Sequence, residues 1–111
     1  MVTKMTKTVN GQSVPFLFGT RALKVLCDQL KIKGLQEFSL RFSDPGFEEI
    51  AALMYAGHEN ACFYDKTTPI YNSVDDMYKL IDEIGITECA EFITSAIQSF
   101  IGEGKEQKKK K

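Results

Sequence analysis

The tightest constraint on how this chain folds lies near its end. Cys89, Phe92, Ile93, Ala96, Ile97, Phe100 and Ile101 recur at three- and four-residue spacing for over three turns. An apolar stripe with that period marks a helix that must bury one face against something else. Thr87 reads as its cap, and Gly102 and Gly104 close it. Phe92 lies mid-helix and belongs in the core. Phe100 and Ile101 lie at the end, where packing within one chain thins out, and are candidates for a contact with a partner.

The elements that cover this stripe must come from upstream. Asn10-Gly11 separates two short β-prone runs, and both residues tolerate the positive φ of a type I′ turn. A hairpin is expected, Lys4–Val9 against Gln12–Phe18, with Pro15 confined to an edge because it has no N–H to give. Thr20 then caps a helix to about Lys31, with Leu23, Leu26, Cys27 and Leu30 on one face and Gly34 as its stop. Residues 35–42 suit a helix through Leu35, Phe38 and Phe42, or a strand through Phe38, Leu40 and Phe42. The reading leans to a short helix. Ser43-Asp44-Pro45 starts a helix to about Ala56, with Phe47, Ile50, Ala51 and Met54 as its main face. Gly57 to Asn72 reads as a long connection. Ser73 with Asp76 resembles a capping box and opens a helix to Ile84, which Gly85 ends, with Val74, Met77, Leu80, Ile81 and Ile84 inward. The expected class is α+β, mostly α: a short N-terminal β-hairpin followed by a compact bundle of four to five helices.

The chain has 111 residues, enough for one domain, assigned to 1–104. Residues 105–111 carry five Lys and one Glu, a local +4 that leaves −5 on the rest. They read as a disordered lysine-rich tail. An acidic body argues against a duplex-binding role. No stretch approaches the ~18 apolar residues of a membrane span, so the cytoplasm is the expected compartment and no membrane partner is expected. Cys27, Cys62 and Cys89 are widely spaced and include no CxxC pair, and His58 is the sole histidine. The expectation is buried structural thiols, no metal and no cofactor. His58 follows Gly57 at an expected helix end and reads as a solvated residue. Glu48-Glu49 and Asp75-Asp76 sit near helix starts, where acids meet the helix dipole favourably, and Asp82-Glu83 reads as a solvated face. No phosphate-binding glycine motif is present. No residue is assigned a catalytic role, and the chain is read as a non-enzyme. Phe63, Tyr64 and Tyr71 fall in the expected connection, off any periodic core face. With Phe100 and Ile101 they are the candidates for partner binding.

A family resemblance follows the order of elements. An Asn-Gly hairpin leads into Gly19-Thr20-Arg21-Ala22-Leu23 and Leu26-Cys27-Asp28-Gln29-Leu30. Ile50-Ala51-Ala52-Leu53-Met54-Tyr55-Ala56-Gly57 comes next, then Val74-Asp75-Asp76-Met77-Tyr78-Lys79-Leu80-Ile81-Asp82-Glu83. Over residues 8–100 this resembles the tail assembly chaperones of long-tailed bacteriophages, most tellingly at Tyr55-Ala56-Gly57 with the acidic helix downstream. The resemblance implies a protein that coats the apolar, helix-rich tape measure protein, keeps it soluble and recruits tail tube subunits. It would work in the cytoplasm of the bacterial host, leave before the virion is complete, and have room to form a homo-oligomer. The alternative is an unrelated small adaptor or regulator that binds proteins and touches nucleic acid through its basic tail.

Overall fold

The computed structural model describes residues 3–98. Its elements are β1 (Thr3–Val9), β2 (Gln12–Phe18), α1 (Thr20–Leu30), α2 (Leu35–Phe42), α3 (Phe47–Asp65), α4 (Val74–Ile84) and α5 (Ile86–Ile97). The fold is α+β and mostly α, one antiparallel hairpin followed by five helices. None of these helices is long and apolar enough to cross a membrane. Phe100, Ile101 and the lysine-rich tail lie outside the described residues.

Asn10 and Gly11 both take positive φ, 53° and 78°, which sets Val9 opposite Gln12. From there the pairing runs without a slip to Thr3 opposite Phe18. Alternation then sorts the side chains by face. Val14, Phe16 and Phe18 are fully buried, with Met5, Lys7 and Val9 half-buried on the same face of β1. Alternation also sorts the main chain. Lys4, Thr6 and Thr8 on β1, and Ser13, Pro15 and Leu17 on β2, turn their main-chain polar groups away from the partner strand. Pro15, opposite Thr6, therefore leaves no gap in the ladder.

The long helix α3 is the centre of the fold. Eleven of its nineteen residues are buried, from Ile50 to Cys62, and it packs against β2, α1, α4 and α5. It begins at Gly46, where Glu49 Oε1 accepts the main-chain N–H at 2.9 Å, while the Ser43 hydroxyl turns back to Leu40 O. The start expected at Pro45 is thus displaced, and Phe47, expected inward, is 70% exposed in the first turn. The end expected at Ala56 is wrong by more than two turns, since α3 runs through Gly57 to Asp65. Gly57 is an approach site for the hairpin: a Cβ there would stand 2.6 Å from Cζ of Phe18.

The other helices hold to their expected spans more closely than to their expected caps. Gly19 takes the N-cap of α1 and Thr20 is already helical, with no side-chain cap bond. Its buried stripe is Ala22, Leu26 and Leu30, with Leu23 and Cys27 half-buried. Lys31, in the left-handed region at φ 59°, ends α1, and Gly34 instead caps α2. Residues 35–42 are helical; Phe38 and Phe42 stack inward at 4.7 Å, while Leu35 faces solvent. Ser73 Oγ accepts from Asp76 N at the head of α4, and the Asp76 carboxylate accepts from Asn72 N. Gly85, at φ 107°, ends α4 and starts α5, so Thr87 is not a cap. Cys89, Phe92, Ile93 and Ala96 form the buried face of α5. Phe92 meets Phe16 edge-on at 4.9 Å and Phe18 at 6.0 Å, in the core as expected.

The Gly57 contact supplies a test with a reversed sign. In an open helix, Gly→Ala raises stability by ~1 kcal/mol. Here the new methyl meets a fully buried ring that already stacks with Phe16 at 6.2 Å. Gly57→Ala is expected to lower stability by ~1–3 kcal/mol, the range for overpacking, read from the urea unfolding midpoint. A stabilised variant would show that Phe18 does not rest on position 57.

Candidate protein-binding surface

Phe63 and Tyr64 stand on the last turns of α3, not in a loop as expected, and are 54% and 57% exposed. Their rings meet edge to face at 5.1 Å. Arg21, from the first turn of α1, lays its guanidinium 3.7 Å from the Phe63 ring centroid. The same guanidinium pairs with Glu59 at 2.8 and 3.4 Å and donates to Asn60 Oδ1 at 3.0 Å. Asn60 in turn donates from Nδ2 to Leu17 O at 2.9 Å. A planar fork held on two acceptors loses little further freedom when it also stacks on a ring. The aromatic pair is thereby tied to β2.

Tyr64, Thr20 and Arg21 line two shallow grooves. One, about 390 Å³, is lined by Leu17, Gly19, Thr20, Arg21 and Asn60. The other, about 620 Å³, is lined by Thr20, Arg21, Lys24, Val25 and Asp28. Lys24 and Asp28 pair at 2.9 Å on the rim of the second. Leu17, Val25 and Tyr64 among charged side chains suit contact with another protein that brings apolar and polar groups together.

Of the remaining candidates, Tyr71 lines neither groove. Tyr71 is half-buried, with its ring edge-on to His58 at 5.4 Å. Phe100 and Ile101 are outside the described residues.

His58 is the largest departure from the sequence reading. Expected as a solvated residue, it is fully buried in the middle of α3. The Ile70 N–H donates to Nε2 at 2.9 Å, so Nε2 carries the lone pair and the proton sits on Nδ1, which donates to Pro15 O at 3.0 Å. Both ring nitrogens are used, and His58 joins β2, α3 and the segment before α4. Cys62 Sγ lies 3.7 Å from Nε2, but that lone pair is engaged by Ile70 and is not free to take a thiol proton. The signal that the sequence held for both His58 and Asn60 is the apolar pattern resuming at Ala61 and Cys62 beyond Gly57.

The other titratable groups have local accounts. Burial pushes the Cys89 thiol up to about 11, so it stays protonated at neutral pH. Burial raises the Glu49 carboxyl, but bonds from Arg41 and the Gly46 N–H outweigh that and hold it below the usual carboxylate value. Cys62 and Cys89 are buried and Cys27 is half-buried, all three as free thiols. Among the described residues, no three His, Cys, Asp or Glu side chains gather as metal ligands. Comparison of the chain with protein-family models, with curated proteins and with solved structures finds no match.

The His58 geometry sets a pH dependence. Burial pulls its pKa below the ordinary 6.5, against the raising effects of the Pro15 carbonyl and the Glu59 carboxylate. The unfolded chain takes up a proton near 6.5 that the folded chain refuses until lower pH. Stability is therefore expected to be flat above neutrality and to fall below 6.5, by up to ~1.4 kcal/mol per pH unit for one proton, until the folded pKa is reached. The chain has one histidine, so denaturant midpoints across this window isolate it from the carboxylates that titrate lower. A midpoint that does not move between pH ~7.5 and ~5.5 would contradict this assignment.

Proposed function

We propose that this chain is a non-enzymatic tail assembly chaperone of a long-tailed bacteriophage. In this reading it binds the tape measure protein, keeps it soluble in the host cytoplasm, helps recruit tail tube subunits and leaves before the virion is complete. The observation that carries the reading is the exposed Phe63–Tyr64 pair, with Arg21 over the Phe63 ring and two grooves that Tyr64 helps to line. A tape measure helix presents apolar side chains one turn apart, and such a stripe can pack on the exposed rings and reach the adjoining grooves. The resemblance in the order of elements supports the family, and the aromatic surface supports the mode of binding.

Co-expression with the tape measure protein of the same phage tests this. The soluble tape measure fraction is expected to rise several-fold over tape measure alone. Phe63→Ser with Tyr64→Ser should abolish the gain while leaving the melting temperature within a few degrees, since both rings are largely exposed. No gain with the parent chain would remove the chaperone function. A gain that survives the double substitution would remove this surface as its site.

A further inference from the structure

The two edges of the hairpin are treated differently. On β2, the outward carbonyls of Pro15 and Leu17 accept from His58 and Asn60, and Pro15 has no N–H. α3 covers that edge at Pro15 and Leu17. On β1, the outward N–H and C=O groups of Lys4, Thr6 and Thr8 meet no partner among the described residues. An unpaired edge is a template for another strand unless its side chains block it. The two lysines of β1 are drawn elsewhere: Lys4 towards Asp65 at 3.8 Å and Lys7 onto Glu88 at 2.6 Å.

A groove of about 730 Å³ runs along this same edge, between β1 and α5. Met5, Ile86, Glu91 and Phe92 are among its lining residues, and none comes from β2. A strand added to β1 would roof the groove and send alternate side chains into it. Those side chains should be apolar and basic in turn. Ile86 is exposed, and Glu91 is exposed with no ion pair among the described residues.

The geometry points to a second copy of this chain as the occupant, with β1 pairing antiparallel to β1 of the partner about Thr6. This register sets Lys4 against the partner's Thr8 and Thr6 against the partner's Thr6. It brings the outward main-chain groups of both strands face to face. On the groove side, Met5 lies opposite the partner's Lys7, whose cation exchanges Glu88 of its own chain for Glu91 across the seam, and the partner's Met5 covers Ile86. No lysine faces a lysine, and the central threonine pair is a favourable cross-strand match. The contact is isologous, so each half-site is used twice and the assembly closes as a dimer with a continuous four-stranded sheet.

The test is sedimentation equilibrium of the full chain over a range of micromolar concentrations. The expected species has twice the 12.5 kDa mass of the chain. Thr6→Pro deletes an outward N–H and no bond of the β1–β2 ladder, so it should give the 12.5 kDa species with an unchanged circular dichroism spectrum. Glu91→Lys, at an exposed position on α5, sets like charges together and should raise the dimer dissociation constant about tenfold or more. If Thr6→Pro does not fold, Glu91→Lys decides alone. A parent chain that is monomeric throughout overturns the proposal, and so does a dimer that these substitutions leave intact, including one built on the Tyr64 grooves instead.

Discussion

His58 joins three parts of the chain that local sequence leaves separate, and the rest of the structure depends on that join. A two-stranded hairpin is marginal by itself in water. It becomes part of the domain because α3 closes the outer edge of β2 with two side chains, His58 on Pro15 O and Asn60 on Leu17 O. A buried carbonyl left without a donor would cost about 1–3 kcal/mol. The opposite nitrogen of His58 then holds Ile70, which fixes the path from α3 to α4. Between these bonds Phe18 lies directly on Gly57, where any side chain would push the hairpin off the helix.

The exposed Phe63–Tyr64 surface is held by the same join. Asn60 passes from Leu17 to Arg21, and Arg21 holds Phe63 from above. Gly57, which ends the Tyr55-Ala56-Gly57 run, meets the hairpin at Phe18. The exposed aromatics lie beyond it on α3. The unequal edges of the hairpin follow too, because α3 reaches the outer edge of β2 and leaves that of β1.

What can be read from the sequence is what local rules determine. Asn10-Gly11 defines its turn through two positive φ angles, Ser73 caps α4 by its own hydroxyl, and the stripe from Cys89 to Ile97 marks α5. Sequence and structure part where a distant residue overrides a local signal. Gly57 looks like a terminator, but its glycine answers to Phe18, and the helix runs on. That one difference moves Phe63 and Tyr64 from a loop onto a helix and His58 from solvent into the core. The exposure of Phe63 and Tyr64 agrees with their falling off the core period, whereas Tyr71, chosen on the same ground, is taken up by His58. Thr20 and Thr87 look like caps, yet each lies just inside a helix that a glycine begins.

The protonation state of His58 tests the central join most directly. In the ¹⁵N-labelled full chain, long-range proton–nitrogen correlation should show a neutral ring at pH ~7, protonated at Nδ1 and with a bare Nε2. It should stay neutral below the ordinary 6.5. A ring protonated at Nε2, or one that titrates near 6.5 like a solvated histidine, would contradict the clasp between β2, α3 and Ile70.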